Sequence, residues 1–239
     1  MSLPRRVLPE LLDELPADDP RAVRSRRDLR RVNWLMGSHS ILLRALDATA
    51  PAAARMQLVE LGAGDGTSML RLARSRSQHW PGAKVVLLDL QPVVGADTLT
   101  GIRDLGWEVE VIAADVFDWL ARPPSGSQDV LFANLFVHHF DGERLSRLLE
   151  GIAECSRAFV CCEPRRSVTA LAGSHLLGLV GCNEITRHDA VLSVHAGYRD
   201  RELSTLWTNA SAGKASYWQL DESAAGLFSH LFVARRADR

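Results

Sequence analysis

The chain has 239 residues, 46% of them hydrophobic and 24% charged, with a formal net charge of −1. That length allows one domain with additional elements and a sizeable core; the near-neutral balance excludes a global positive field drawing the chain onto nucleic acid or anionic lipid. No run approaches the ~20 apolar residues of a membrane span, and MSLPRRVLPELLDELPADDP lacks the continuous apolar stretch of a signal peptide, so the expected location is cytoplasmic.

Residues 1–20, rich in proline and acid, are expected to form an irregular lead-in. Asp19-Pro20 predicts a helix start, with Asp as N-cap and Pro at the first helical position. The helix RAVRSRRDLRRVNWLM stops at Gly37, and SHSILLRALDA restarts one behind a serine cap. Six arginines lie between Arg21 and Arg31. They read as a solvated helical face, with a patch for an anionic substrate or RNA as the alternative.

From residue 55 the pattern alternates. QLVEL (57–61) predicts a strand and TSMLRLARSRS a helix; KVVLLDL (84–90) predicts a strand, and the spacing of Val93, Ala96, Leu99, Ile102 and Leu105 a helix ended by Gly106. EVEVIAAD (108–115) follows as a strand, VFDWL as a helical turn and RPPSGSQ as a loop. DVLFAN (129–134) is a strand, Asp141 caps a helix carrying Leu145, Leu148, Leu149 and Ile152, and AFVCCE (158–163) is the fifth strand. Apolar strands alternating with helices imply a parallel sheet covered on both faces. SVTALAGSHLLGLVG reads as a weakly charged helix and RDRELSTLWTNA as another, capped near Asp200. SYWQLDE and LFSHLFVARR then read as an antiparallel hairpin around Ala224, Ala225 and Gly226. Cys155, Cys161, Cys162 and Cys182 form no CxxC pair and match no histidine spacing; reduced, buried cysteines and no metal site are expected.

The run LVELGAGDGT (58–67) places Gly62, Gly64 and Gly66 directly behind the first strand. Bare backbone there lets a ligand approach the main chain and lets the next helix start sharply. Thr67 stands where a dinucleotide fingerprint has its third glycine, and no P-loop lysine follows. Acids end the first three strands. Asp89 can accept both hydroxyls of a ribose diol, Asp115 can accept from an exocyclic adenine amine, and Glu60 can face a cationic amine. In an open parallel sheet these carboxyl ends line one crevice. The implied ligand has a ribose, an adenine and a positive end.

In VELGAGDGT, LLDL ending in Asp89, IAADVFDW containing Asp115, and DVLFANLFVHHF, the chain resembles the class I, seven-strand S-adenosylmethionine-dependent methyltransferases. The resemblance is specific over residues 55–165 and continues beyond them by pattern. It implies an α/β fold: a Rossmann-like, doubly wound, mostly parallel seven-stranded sheet with an antiparallel C-terminal hairpin and an N-terminal helical lid. Residues 1–54 would be the lid, 55–239 the methyltransferase domain, and 164–213 an insertion shaping the substrate pocket. S-adenosyl-L-methionine is the cofactor implied. Gly62, Ala63, Gly64 and Gly66 would lie against its methionine portion, Asp89 with Leu90 at the ribose, Asp115 with Val116 at the adenine, and Glu60, Asn134 and Leu135 beside them.

LFVHHF resembles the small-molecule branch, with its quinone- and polyketide-pathway enzymes. Asn134-Leu135-Phe136-Val137 replaces the (N/D)PPY tetrad of enzymes that methylate amide or amine nitrogen. The expected reaction is in-line methyl transfer, without a metal, to a small apolar aromatic or polyketide-like acceptor, at oxygen rather than carbon. His138 and His139 are the candidate bases, His138 first; Trp34, Arg187 and His188 are candidate substrate contacts. Glu163 reads as a residue that orients a loop, with a second base as the alternative. Expected partners are the small-molecule acceptor and no nucleic acid, in a monomer or homodimer. The alternatives are an RNA or protein methyltransferase of the same fold, a nicotinamide-dependent oxidoreductase, and a non-catalytic cofactor-binding protein.

Overall fold

The computed structural model describes residues 3–50, 55–122, 128–211 and 217–237. Most of the predicted RPPSGSQ loop lies outside them. Five parallel strands, β1 (Gln57–Leu61), β2 (Lys84–Asp89), β3 (Glu108–Ala113), β4 (Gln128–Asn134) and β5 (Ser156–Pro164), are joined by β6 (Trp218–Ala225) and β7 (Ser229–Arg236). The sheet has seven strands in the order β3-β2-β1-β4-β5-β7-β6. β7 runs antiparallel to β5 and to β6, the reversed terminal hairpin expected from the sequence. The order turns back between β1 and β4, so the crevice at their carboxyl ends is the place where an open sheet of this kind takes a ligand.

Period-two alternation sorts the strands' apolar residues onto two faces. Leu58, Val85, Leu87, Val130, Phe132 and Val160 face one core with α3 (Ser38–Thr49), α4 (Thr67–Arg76) and α5 (Ala96–Asp104). Val59, Leu61, Leu88, Leu131, Ala133 and Phe159 face the other, with α6 (Val116–Ala121), α7 (Gly142–Cys155) and α10 (Glu202–Ala210). Phe159 and Trp207 stack there with ring centroids 5.8 Å apart. All four cysteines are free and buried.

Local signals fare well where the cap is local. Asp19 accepts from the Arg21 N–H at 2.7 Å and opens α2 (Pro20–Met36), which Gly37 ends in the left-handed conformation. Ser38, by contrast, lies inside α3 and caps nothing: its hydroxyl donates back to the Asn33 carbonyl. Val93 stands outside α5; Pro92 keeps the preceding backbone extended, and the Val93 N–H donates to the Gly64 carbonyl at 3.1 Å. Asp141 holds the N-cap position of α7 without a side-chain hydrogen bond to it. The weakly charged run after β5 is shorter than expected, a helix α8 (Val168–His175) followed by a 3₁₀ segment, Leu176–Val180. The last hairpin turns later than predicted, since Ala224 and Ala225 still pair with His230 and Ser229.

Two further departures depend on distant carboxylates. A short helix α1 (Leu11–Glu14) interrupts the lead-in because Asp189 of α9 (Glu184–Ala196) accepts the Leu11 and Leu12 N–H groups at 2.9 and 3.0 Å. The first turn of α10 is capped by Glu222 of β6, which accepts from Leu203 and Ser204, rather than by Asp200.

Candidate active site

The crevice is built first from β1 and its exit. Gly62 has φ +69° and Gly64 φ +54°, in the region that L side chains rarely adopt. A Cβ at Gly62 would stand 2.3 Å from Cδ2 of Phe136, whereas a Cβ at Gly64 would meet nothing within 4 Å. One glycine therefore lets Phe136 close on the turn, and the other leaves the main chain open. Asp89 fixes this turn to β2: its Oδ2 accepts the Gly64 N–H and its Oδ1 the Gln91 N–H, each at 2.8 Å. Asp115, at the end of the neighbouring strand, accepts the Phe117 N–H at 2.7 Å and starts α6. Val116 is buried beside it, and Leu90 is 67% exposed on the crevice rim.

A small cavity opens between α2, the start of α4 and the end of β4, lined by Arg30, Asn33, Thr67, Ser68, Arg71 and Asn134 among others. Arg30 reaches across it to Asp65 of the glycine turn at 2.7 Å. Asn33 Oδ1 and Asn134 Oδ1 are buried acceptors without a hydrogen-bond partner, as is Oε2 of Glu60. Glu60 is buried, and desolvation pushes its carboxyl up to about 8 against the pull of the Ser68 hydroxyl. Leu135, the next residue after β4, takes φ +57°; this unusual backbone for a γ-branched side chain turns Phe136 toward Gly62.

Beyond Phe136 a 3₁₀ turn, Val137–His139, carries the paired histidines. Glu163, fully buried in β5, accepts backbone N–H groups from Phe136, Val137 and His138 at 3.2, 2.9 and 3.3 Å. His138 is 2% exposed. Its Nδ1 donates to Glu163 at 2.7 Å and its Nε2 lies at ion-pair distance, 3.4 Å, from Glu10. Burial opposes the charge, but the two carboxylates outweigh it and hold the imidazole up to about 9. The same pairing holds Glu10, despite its burial, down to about 2. His139 is a quarter exposed and sits 3.2 Å from Asp13.

Residues 58–158 match the family described as methyltransferase domain. The chain has a Rossmann-like methyltransferase fold.

No curated protein is significantly similar to the chain in sequence. Among solved structures, it superposes on an O-methyltransferase family protein from Burkholderia thailandensis with a TM-score of 0.62 at 19% identity, covering 93% of this chain and 61% of that one. Mitomycin 7-O-methyltransferase gives 0.56 at 17%, covering 95% and 60%. Magnesium protoporphyrin IX methyltransferase from Synechocystis PCC 6803, with bound SAH, gives 0.53 at 12%, covering 95% and 91%. At these identities the likeness is one of fold. The chain spans about three fifths of the length of the first and second of these.

Within the matched region, the glycines, Ala63, Glu60, Asp89, Leu90, Asp115, Val116, Asn134 and Leu135 lie at the carboxyl ends of β1 to β4, where the sequence placed them. The paired histidines do not stand in an open crevice. His138, buried between Glu163 and Glu10, braces the turn after β4 rather than facing an open crevice. His139, its ring centroid 4.3 Å from that of His138 and its Nδ1 on Asp13, helps hold the N-terminal segment. Trp34 is 70% exposed, away from the cavity. Arg187 packs against Gly178 and His188 pairs with Asp189, so these candidate substrate contacts are not gathered with the cofactor residues either. Arg71 and Ser68, which line the cavity with Arg30 of the arginine run, were not singled out in the sequence, because only the fold brings these helices together beside the glycine turn.

The Glu60 shift gives an expected result. Between pH 4.5 and pH 8 the folded domain keeps a proton that the unfolded chain has released, so stability falls as pH rises through this window. Glu60→Gln should match the parent below pH 4.5 and exceed it above pH 8 in urea denaturation. Curves that stay parallel across the window would show that Glu60 is not buried as described.

Proposed function

We propose that the chain transfers a methyl group from S-adenosylmethionine to a small, apolar aromatic or polyketide-like acceptor, at oxygen rather than carbon. The observation that carries this reading is the donor set around the glycine turn. Orphaned acceptors, Asn33 Oδ1, Asn134 Oδ1 and Glu60 Oε2, suit an ammonium, while Arg71 suits a carboxylate, and together they match the amino-acid end of the cofactor. The bare backbone at Gly64 leaves room above the turn, and the remaining lone pairs of Asp89 suit the ribose diol. Asp115 and Val116 flank the adenine in this reading, with Ala63, Gly66, Leu90 and Leu135 as the walls.

S-adenosylmethionine supplies a methyl carbon on a sulfonium whose departure leaves a neutral thioether, so the chain need not protonate a leaving group. The chain's own part is to align the acceptor and exclude water, and positioning of this kind contributes ~7–11 kcal/mol. Residues 1–54 act as a lid, tied to the glycine turn by the Arg30–Asp65 ion pair, and residues 164–213 shape the acceptor side. Mitomycin 7-O-methyltransferase and the Burkholderia O-methyltransferase family protein support oxygen as the acceptor atom. Arg21, Arg26, Arg30 and Arg31 are occupied by Asp19, the Ala17 carbonyl, Asp65 and Asp28, which speaks against an RNA-binding helix. The match of residues 58–158 to a methyltransferase domain weighs against the nicotinamide alternative.

Radiolabelled methyl transfer to phenolic and polyketide extracts tests the reading; label entering protein or RNA instead would overturn the acceptor class. Asp89→Ala removes charge-assisted hydrogen bonds worth ~1.5–3 kcal/mol each, so S-adenosylhomocysteine affinity should fall roughly 100-fold with the chain still folded. Unchanged affinity by calorimetry would remove Asp89 from the site.

A further inference from the structure

Glu10, just before α1, and the two histidines of the turn after β4 present one ligand atom each within 4.8 Å of one another. The orientation of the rings is telling. Nδ1 of His138 faces Glu163 at 2.7 Å and Nδ1 of His139 faces Asp13 at 3.2 Å, so in both rings Nε2 is the nitrogen left free. Nε2 of His138 is buried and has no hydrogen-bond partner. It lies 3.4 Å from Oε1 of Glu10, too far for a hydrogen bond. Two ligands held at about 2.1 Å from a tetrahedral ion are themselves separated by roughly 3.4 Å. The separation of this pair is that of two ligands on one cation, and the third ligand atom lies within 4.8 Å of both.

We propose that Glu10, His138 and His139 bind a divalent cation of the zinc class, the two histidines through Nε2 and Glu10 through its carboxylate, the ion taking the place of the proton that His138 carries in its absence and releasing it to solvent. Glu163 and Asp13 then act as the outer carboxylates that metal-bound imidazoles commonly use to fix their tautomer and orientation. Imidazole with a single carboxylate favours zinc, cobalt or nickel over magnesium or calcium, which take oxygen cages. Glu10 comes from the N-terminal segment and the histidines from the turn behind β4. The ion thus fastens residues 10–13 against the crevice, alongside the Leu11 and Leu12 contacts to Asp189. This inference rests on geometry outside the glycine turn and stands apart from the methyl-transfer reading.

The test uses the full chain with any affinity tag removed. After EDTA treatment and dialysis, titration with zinc chloride should show one equivalent bound, with a rise in thermal midpoint that EDTA reverses. Glu10→Gln, on a partly exposed side chain, and His139→Ala should each weaken zinc binding at least tenfold while circular dichroism shows the fold retained. Cobalt should give the visible bands of a nitrogen- and oxygen-ligated tetrahedral site without thiolate charge transfer. Absent stoichiometric binding, affinity unmoved by both substitutions, or a thiolate band assigning the metal to cysteine would each overturn the proposal.

Discussion

Replacing His138 by alanine is expected to destabilise the fold by about 3–5 kcal/mol, because it strips a fully buried carboxylate of its positive partner. Glu163 has no exposure at all and would keep only the backbone donors of Phe136, Val137 and residue 138. Glu10 would lose its ion-pair partner at the same time. Urea denaturation with EDTA present should show a lower midpoint at unchanged slope. His138→Gln, which keeps a donor toward Glu163, should recover part of the loss. A base in catalysis would behave otherwise: turnover would collapse while stability held. A His138→Ala chain as stable as the parent would return the residue to the reaction and remove it from the framework.

Gly62→Ala is the second large effect. The left-handed backbone at φ +69° costs an alanine about 1–2 kcal/mol, and its Cβ would sit 2.3 Å from the Phe136 ring. Overpacking of that kind adds typically ~1–3 kcal/mol, giving roughly 2–5 kcal/mol in all. The two parts can be separated. In a Gly62→Ala/Phe136→Ala double variant the ring is gone and the backbone strain remains, so the cycle should return a coupling of about the steric share. Strict additivity would mean that Phe136 does not close on the turn.

Most of the sheet was legible because its signals are local. Val59 and Leu61 alternate with Leu58 and Glu60, glycines follow at once, and the same grammar recurs at Asp89 and Asp115. Helices capped by their own residues, such as α2 behind Asp19, were equally readable. Those capped from afar were not. Nothing near Leu11 announces that Asp189 will accept its N–H, and nothing near Arg201 points to Glu222. Helix α9 escaped for a related reason: Thr186, Asp189 and Ser193 interrupt its apolar stripe because they bond to Ser25, to the α1 backbone and to Glu10. The acids at the carboxyl edge of the sheet were legible in position, since Glu60, Asp89 and Asp115 each lie at or near the end of a recognisable strand. The surroundings of the histidines were not legible, because adjacency to the crevice in sequence says nothing of Glu163 and Glu10, which claim His138 from another strand and from the N-terminal segment.

A crystal structure of the chain with S-adenosylhomocysteine examines the placement of the nucleoside most directly. The expected result has the amino-acid end between Asn33 and Asn134, the sugar hydroxyls on Asp89 and the base beside Asp115 above the bare main chain at Gly64. A nucleoside bound elsewhere, or one from which both carboxylates turn away, would contradict it.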